Sequence, residues 1–115
     1  MERDAGSLLD ILDAAKLVQQ FVEGMTREAF EDDTKTQAAV VREIEIIGEA
    51  TKRVSDSFRS SHPAIPWKKM AGMRDVLIHA YDEVDLDEVW NVAQNAVPEL
   101  IAQIEPLIPA EPGDD

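Results

Sequence analysis

Residues 72–81 hold the side chains of this sequence that are best suited to chemistry, because Arg74, His79 and Tyr81 fall within eight positions. Cleaving RNA without a metal needs a base for the 2′-hydroxyl proton, an acid for the leaving 5′-oxygen and a cation beside the phosphate. Histidine, with a reference pKa of about 6.5, can fill either proton role. Arginine stays charged and can bind two phosphate oxygens at once. The structural alternative is that Arg74 only pairs with Asp75 or another carboxylate.

The spacing of these residues limits how one helix could present them. Arg74 and His79 are separated by about 140° around an ideal helix, whereas Arg74 and Tyr81 share a face. A straight helix therefore cannot direct Arg74 and His79 at one phosphate, so either the helix is distorted or two copies of the chain share a site. One histidine cannot easily be acid and base together, which favours a two-fold dimer with two arginines and two histidines in one groove.

Apolar residues at helical spacing predict the elements that must hold this stretch. We expect helices over residues 7–23, 34–60, 67–81 and 85–108. No segment alternates apolar and polar residues in two-residue steps, so strands are not expected. The sequence therefore predicts an all-α bundle of four to five helices over residues 1–108, followed by a disordered acidic tail at 109–115.

Single residues mark special points along these helices. Gly24 stands where a helix would end, and Asp33 or Thr34 could cap the second long helix. Gly48 lies inside that helix at a cost of about 1 kcal/mol of helix propensity relative to alanine. It is either simply tolerated or leaves room for another backbone. Pro98 lacks a backbone donor and should kink the last helix.

Composition excludes or disfavours several functional classes. The 115 residues contain no cysteine, so neither a disulfide framework nor a thiolate metal site can form. No apolar run approaches the roughly 18 residues needed to cross a bilayer. No apolar segment follows the charged first residues, so we expect a cytoplasmic protein without a signal peptide. The sequence has no Gly-rich phosphate loop and no Glu-x-x-His pair, so we expect neither a cofactor nor a metal.

The charge of the chain is unevenly distributed. The formal net charge is -13, yet residues 34–79 carry a net charge of +3, between acidic segments of -6 at residues 1–33 and -10 at residues 80–115. Phosphate contacts therefore have one plausible location, the middle segment. The acidic ends could repel RNA, attract a basic protein partner or simply keep the surface soluble.

The motif and its flanks resemble a known family. The sequence is similar to the HEPN superfamily, in which an arginine is followed by a polar residue, a short apolar run and a histidine. The HepT-like branch adds a tyrosine two residues later, and the sequence has the full set as Arg74, Asp75, His79 and Tyr81. Similar flanks occur at residues 46–50, 65–67, 72–73 and 84–90, and the resemblance covers most of residues 5–108. Many HepT-like proteins have asparagine where this chain has Asp75.

This resemblance implies an activity and a set of partners. It implies a metal-independent endoribonuclease that acts as a homodimer, with Arg74 and His79 catalytic and Asp75 supporting them. It also implies a toxin that is neutralised by a small nucleotidyltransferase antitoxin of the MntA type, which transfers AMP onto Tyr81. The alternative is a non-catalytic, acidic helical module that binds a nucleotidyltransferase partner.

Overall fold

The computed structural model describes the backbone of residues 2–79 and 83–108, and the side chains of residues 4–75 and 84–108. Across those ranges the chain is a bundle of helices with one pairing of two two-residue strands. The predicted all-α class is therefore confirmed. The segment 109–115, predicted to be a disordered tail, lies outside the described residues.

The first helix, α1 (Glu2–Val22), begins five residues earlier than the sequence predicts. Its buried side chains recur at the predicted helical spacing, at Leu8, Leu12, Ala15, Val18 and Val22. The helix ends just before Gly24, whose φ of 75° lies in the left-handed region that favours glycine. A short helix, α2 (Arg27–Glu31), then begins with the Thr26 hydroxyl accepting a hydrogen bond from the Ala29 N–H.

The second long helix, α3 (Thr34–Arg53), begins with a side-chain cap. The Asp33 carboxylate accepts hydrogen bonds from the Thr36 hydroxyl at 2.7 Å and from the Thr36 N–H at 3.0 Å. These bonds, the hydroxyl one first, favour the charged carboxylate and lower the pKa of Asp33 below its usual value. Asp33 is thus the cap, as one of the two predicted alternatives.

The helix predicted over residues 34–60 is interrupted after Arg53. The chain leaves helical geometry at Val54 and starts a new helix, α4 (Asp56–Ser61), with Ser55 as its cap. The buried Asp4 carboxylate accepts hydrogen bonds from the Ser55 N–H at 2.8 Å and the Ser55 hydroxyl at 2.7 Å. In a continuous helix the Ser55 N–H would donate to a carbonyl one turn earlier, but here it donates to Asp4. A residue from a distant part of the chain therefore stabilises the break.

The predicted helix over residues 67–81 is also divided. It forms α5 (Trp67–Ala71) and α6 (Met73–Leu77), with Gly72 between them. The chain then becomes extended, and β1 (Ile78–His79) pairs antiparallel with β2 (Glu83–Val84), Ile78 opposite Val84 and His79 opposite Glu83. The sequence did not predict this ladder, because two residues are too few to show alternation.

The last part of the bundle contains α7 (Leu86–Asn91), a π-helical turn (Val92–Ala96), α8 (Val97–Ile104) and a 3₁₀ turn (Glu105–Leu107). The π turn lies just before Pro98, the position where the sequence predicts a kink. Proline has no N–H for the carbonyl four residues earlier, and its ring would clash there. The Val97 N–H instead reaches Val92, five residues back, which widens the turn.

The core lies between α1, α3 and α8. α1 packs mainly against α3 and α8, and α3 also packs against α5 and α6. Fully buried side chains include Ile11, Ile44, Ile47, Val97 and Ile104. None of the helices in the described ranges is long and apolar enough to cross a membrane.

Candidate active site

A backbone contact fixes the segment that carries Arg74. A Cβ placed on Gly48 would lie 3.2 Å from the Ala71 carbonyl oxygen, closer than most real Cβ contacts. Met73, beside Arg74, is only 6 % exposed and packs into the core. Of the two explanations for Gly48, close approach of another backbone is therefore the one that the structure supports.

Valine in place of Gly48 is expected to destabilise the protein by about 1–3 kcal/mol, the usual cost of overpacking. The same substitution at Gly6 is a matched control, because a Cβ there meets nothing within 4 Å. Valine has a better helix propensity than glycine, so Gly6→Val should be neutral or stabilising. Urea unfolding monitored by circular dichroism gives the midpoint of each variant, and the two midpoints are compared. Equal urea midpoints for the two variants would show that α3 and α5 can move apart enough to accommodate the added side chain.

Arg74 lies on α6 with about half of its side chain exposed. Its Nε is 3.7 Å from Oε2 of Glu45 on α3, and the two side chains are 54 % and 32 % exposed. The alternative that Arg74 pairs with a carboxylate thus holds for Glu45, whereas exposed Asp75 forms none of the ion pairs found in the described ranges. An exposed pair at this distance contributes little to stability, so the guanidinium is available for other partners.

The ion pair between Glu45 and Arg74 lies next to the close contact between Gly48 and Ala71. Glu45 lies three residues before Gly48, and Arg74 lies three residues after Ala71. The two contacts, Gly48 with Ala71 and Glu45 with Arg74, are therefore one helical turn apart on elements that run in opposite directions. The core contact thus sets where the Arg74 backbone stands relative to Glu45.

A groove of about 350 Å³ lies beside this ion pair. It is mostly apolar and is lined by Thr34, Gln37, Ala38, Val41, Arg42, Glu45, Val84 and Leu86. Glu45 connects the groove to Arg74, and Val84 connects it to the ladder, since Val84 pairs with Ile78 next to His79. The groove therefore lies between α3 and the segment of Val84 and Leu86, and the carboxylate that pairs with Arg74 forms part of its wall.

The backbone of Arg74 and His79 shows how the chain departs from the straight helix that would separate them by about 140°. α6 ends at Leu77 and His79 is in β1, so the two residues do not lie on one straight helix. Of the two alternatives, distortion of the helix is therefore present. The single helix on which Arg74 and Tyr81 are predicted to share a face ends at Leu77, so that prediction rests on a longer helix than the one observed. The His79 side chain and the whole of Tyr81 lie outside the described residues.

The remaining titratable groups add no metal centre to the described part of the chain. Within it, no three His, Asp or Glu side chains are grouped so that they could hold a metal ion. The other histidine, His62, ends α4 and stacks on Phe58 with ring centroids 4.3 Å apart.

Comparison with known families gives a match over most of the chain. The family model for HepT-like ribonucleases ("Ribonuclease HepT-like") matches residues 11–107. The chain belongs to the HepT-like ribonuclease family. The match extends from the middle of α1 to the end of the 3₁₀ turn and includes Arg74, Asp75, His79 and Tyr81.

Several relatives of this HepT-like chain match over most of their length. "Probable ribonuclease HepT" of Thermococcus cleftensis is 45% identical over 100 residues, which are 87% of this chain and 91% of the relative. A "Putative RNase" of Methanocaldococcus jannaschii is 42% identical over 108 residues, 94% of this chain and 89% of the relative. Another "Putative RNase", from Caldanaerobacter subterraneus subsp. tengcongensis, is 39% identical over 101 residues, 88% and 90% of the two chains. No solved structure matches the chain.

Sequence reasoning missed one residue of this candidate site, Glu45, which pairs with Arg74. Glu45 carries no distinguishing signal in the sequence, because the absence of a Glu-x-x-His pair leaves the glutamates of its helix without an assigned role. Its relation to Arg74 depends on how α3 packs against α6, which the sequence of neither helix specifies. The available signal was Gly48, because an interior glycine marks a close approach and Glu45 lies one turn before it.

Proposed function

We propose that this chain is a metal-independent endoribonuclease that acts in the cytoplasm as the toxin of a toxin–antitoxin pair. Membership of the HepT-like ribonuclease family supports the activity, and the similar relatives carry ribonuclease names. The structural observation that carries the proposal is Arg74, a half-exposed guanidinium beside an open groove. Digestion of a structured RNA with excess EDTA present is the first test, and cleavage should proceed at the same rate as without EDTA.

The roles of the motif residues follow from the chemistry of phosphodiester cleavage. Arg74 donates to two oxygens of the scissile phosphate and offsets the charge that builds on them. One His79 removes the 2′-hydroxyl proton as the 2′-oxygen attacks phosphorus. A protonated His79 from a second chain gives its proton to the 5′-oxygen as the bond to phosphorus breaks. Asp75 follows Arg74 on the exposed surface of α6, where its negative charge would partly balance the positive charge of Arg74.

A homodimer is expected at micromolar concentration, because the proposed chemistry uses two copies of His79. Val84 is 38% exposed and is paired to the residue before His79, so we place it near the dimer axis. Val84→Asp should therefore shift the protein to a monomer in light scattering and lower cleavage in parallel. Leu17→Asp is the matched control, since Leu17 is similarly exposed, at 36%, on α1. A wild-type chain that stays monomeric while it cuts RNA would refute the shared site.

Control by a small nucleotidyltransferase of the MntA type completes the proposal. The antitoxin would transfer AMP onto Tyr81, two residues after His79, and the modification would block RNA binding.

The second candidate function is a non-catalytic module that binds a nucleotidyltransferase. Residues 80–115 contain ten acidic and no basic side chains, which suits a basic protein partner better than RNA. A chain that binds such a partner but cuts no RNA would favour this candidate.

A further inference from the structure

We propose that Glu45 is a positioning residue that orients the Arg74 guanidinium for the scissile phosphate, an inference that rests on the proposed ribonuclease function. The nearest approach between the two side chains is from Arg74 Nε to Glu45 Oε2, at 3.7 Å. This distance is an ion pair without a direct hydrogen bond. A contact centred on Nε leaves the two Nη groups as the forked pair of donors that binds two phosphate oxygens.

The position of Glu45 suits it to this role. It lies on α3, the helix that packs against both α1 and α6, and its side chain is only about one-third exposed. Arg74 is a long side chain on a five-residue helix and is half exposed. A fixed carboxylate restricts the rotamers of such an arginine before substrate binds, so less freedom is lost in the transition state.

Arg42 gives a useful comparison, because it is three residues from Glu45 on the same helix face. Both line the apolar groove, and both also line a second cleft with Asp10, Glu49 and Arg53. In the described ranges the ion pair of Glu45 is with Arg74, across two helices, and not with Arg42 on its own helix. The packing of α3 on α6 therefore directs the Glu45 carboxylate to the motif arginine.

If Glu45 is a positioning residue, neutralising it should change the rate of cleavage in the direction opposite to that expected from its charge alone. The chain has a net charge of -13, and a carboxylate near the scissile phosphate repels RNA. If Glu45 acted only as a surface charge, neutralising it would raise RNA affinity and the rate of cleavage. If it orients Arg74, neutralising it should lower kcat while KM stays the same or falls.

Glu49 is the matched control for the loss of one negative charge. It lies one turn further along α3, lines the second cleft with Glu45, and pairs with Lys52 at 3.7 Å. We expect Glu45→Gln to lower kcat about tenfold, and Glu49→Gln to leave kcat within about twofold of wild type. In an Arg74→Ala background, Glu45→Gln should have no further effect on residual cleavage, because its role acts through Arg74. Equal effects of the two glutamine variants, or higher kcat for Glu45→Gln alone, would overturn the inference.

A second measurement tests the pair without using catalysis. In a chain labelled with ¹⁵N-arginine, the Arg74 Nε–H signal is the one lost in Arg74→Lys. Glu45→Gln should shift that signal, and Glu49→Gln should leave it in place. A wild-type chain that cuts no RNA but shows this pattern would contradict the ribonuclease proposal alone. A signal that does not respond to Glu45→Gln would contradict the positioning role, whatever the activity.

Discussion

Alanine in place of His79 is expected to slow RNA cleavage by about 10²- to 10⁴-fold, the range that a positioned general acid or base supplies. In a homodimer the substitution removes both proton-transfer groups of a shared site, so we expect the upper end of that range. The far-ultraviolet circular dichroism spectrum should keep its helical form, because His79 lies in a two-residue strand after α6 and not within a helix. Initial rates on a fluorescent RNA, with EDTA present, measure the loss.

The chain provides its own control for this substitution. It contains two histidines, and His62 lies at the end of α4, where it stacks on Phe58. His62→Ala should therefore keep the wild-type rate, even if it lowers thermal stability slightly. If His79→Ala cleaves as fast as wild type, or if EDTA abolishes cleavage by wild type, the proposed mechanism is wrong.

Arg74 should respond to substitution by shape as well as by charge. Arg74→Ala removes the cation and should cost about 10²- to 10³-fold, as for loss of one transition-state donor. Arg74→Lys keeps the charge but loses the planar fork, so it should recover only part of the rate. Because the Arg74 side chain is half exposed and its ion pair with Glu45 is long, neither variant should unfold α6.

The sequence predicted the parts of the fold that depend on local periodicity. The five α1 residues at steps of three and four are all buried, because one helical turn repeats every 3.6 residues whatever it packs against. The breaks could not be predicted in the same way. The interruption before Ser55 is held by Asp4, 51 residues earlier in the chain, so residues 34–60 alone read as one continuous helix.

For the candidate site too, the residue types could be predicted from the sequence and the tertiary contacts could not. Arg74, Asp75, His79 and Tyr81 are recognisable from residue type and spacing, so the motif is visible without a structure. The end of α6 at Leu77 depends on pairing with residues 83–84, and the contact between Glu45 and Arg74 depends on how α3 meets α6. Both are tertiary facts, and they change the geometry that an ideal helix would give the motif.

Co-expression with a cognate nucleotidyltransferase is expected to place AMP on Tyr81 and to abolish cleavage by the modified fraction. In the transfer, the phenol oxygen attacks the α-phosphate of ATP, the bond to pyrophosphate breaks, and the phenol loses its proton. The product carries a phosphodiester and a nucleoside two residues from His79. That negative charge would compete for Arg74 with the RNA phosphate, and the added bulk would fill space that substrate needs.

Tyr81 is the only tyrosine in the chain, so the experiment has a clean variant. Intact mass should rise by one or more adenylyl units in the wild type, and cleavage should fall in step with the modified fraction. Tyr81→Phe removes the only phenol and should stay unmodified at that position, so it should keep cleaving RNA in the presence of the partner. If the mass never changes, or if AMP maps only to a serine or threonine elsewhere, the partner controls this chain in some other way. The ribonuclease proposal would then still stand on the His79 and Arg74 variants, because neither depends on how the activity is switched off.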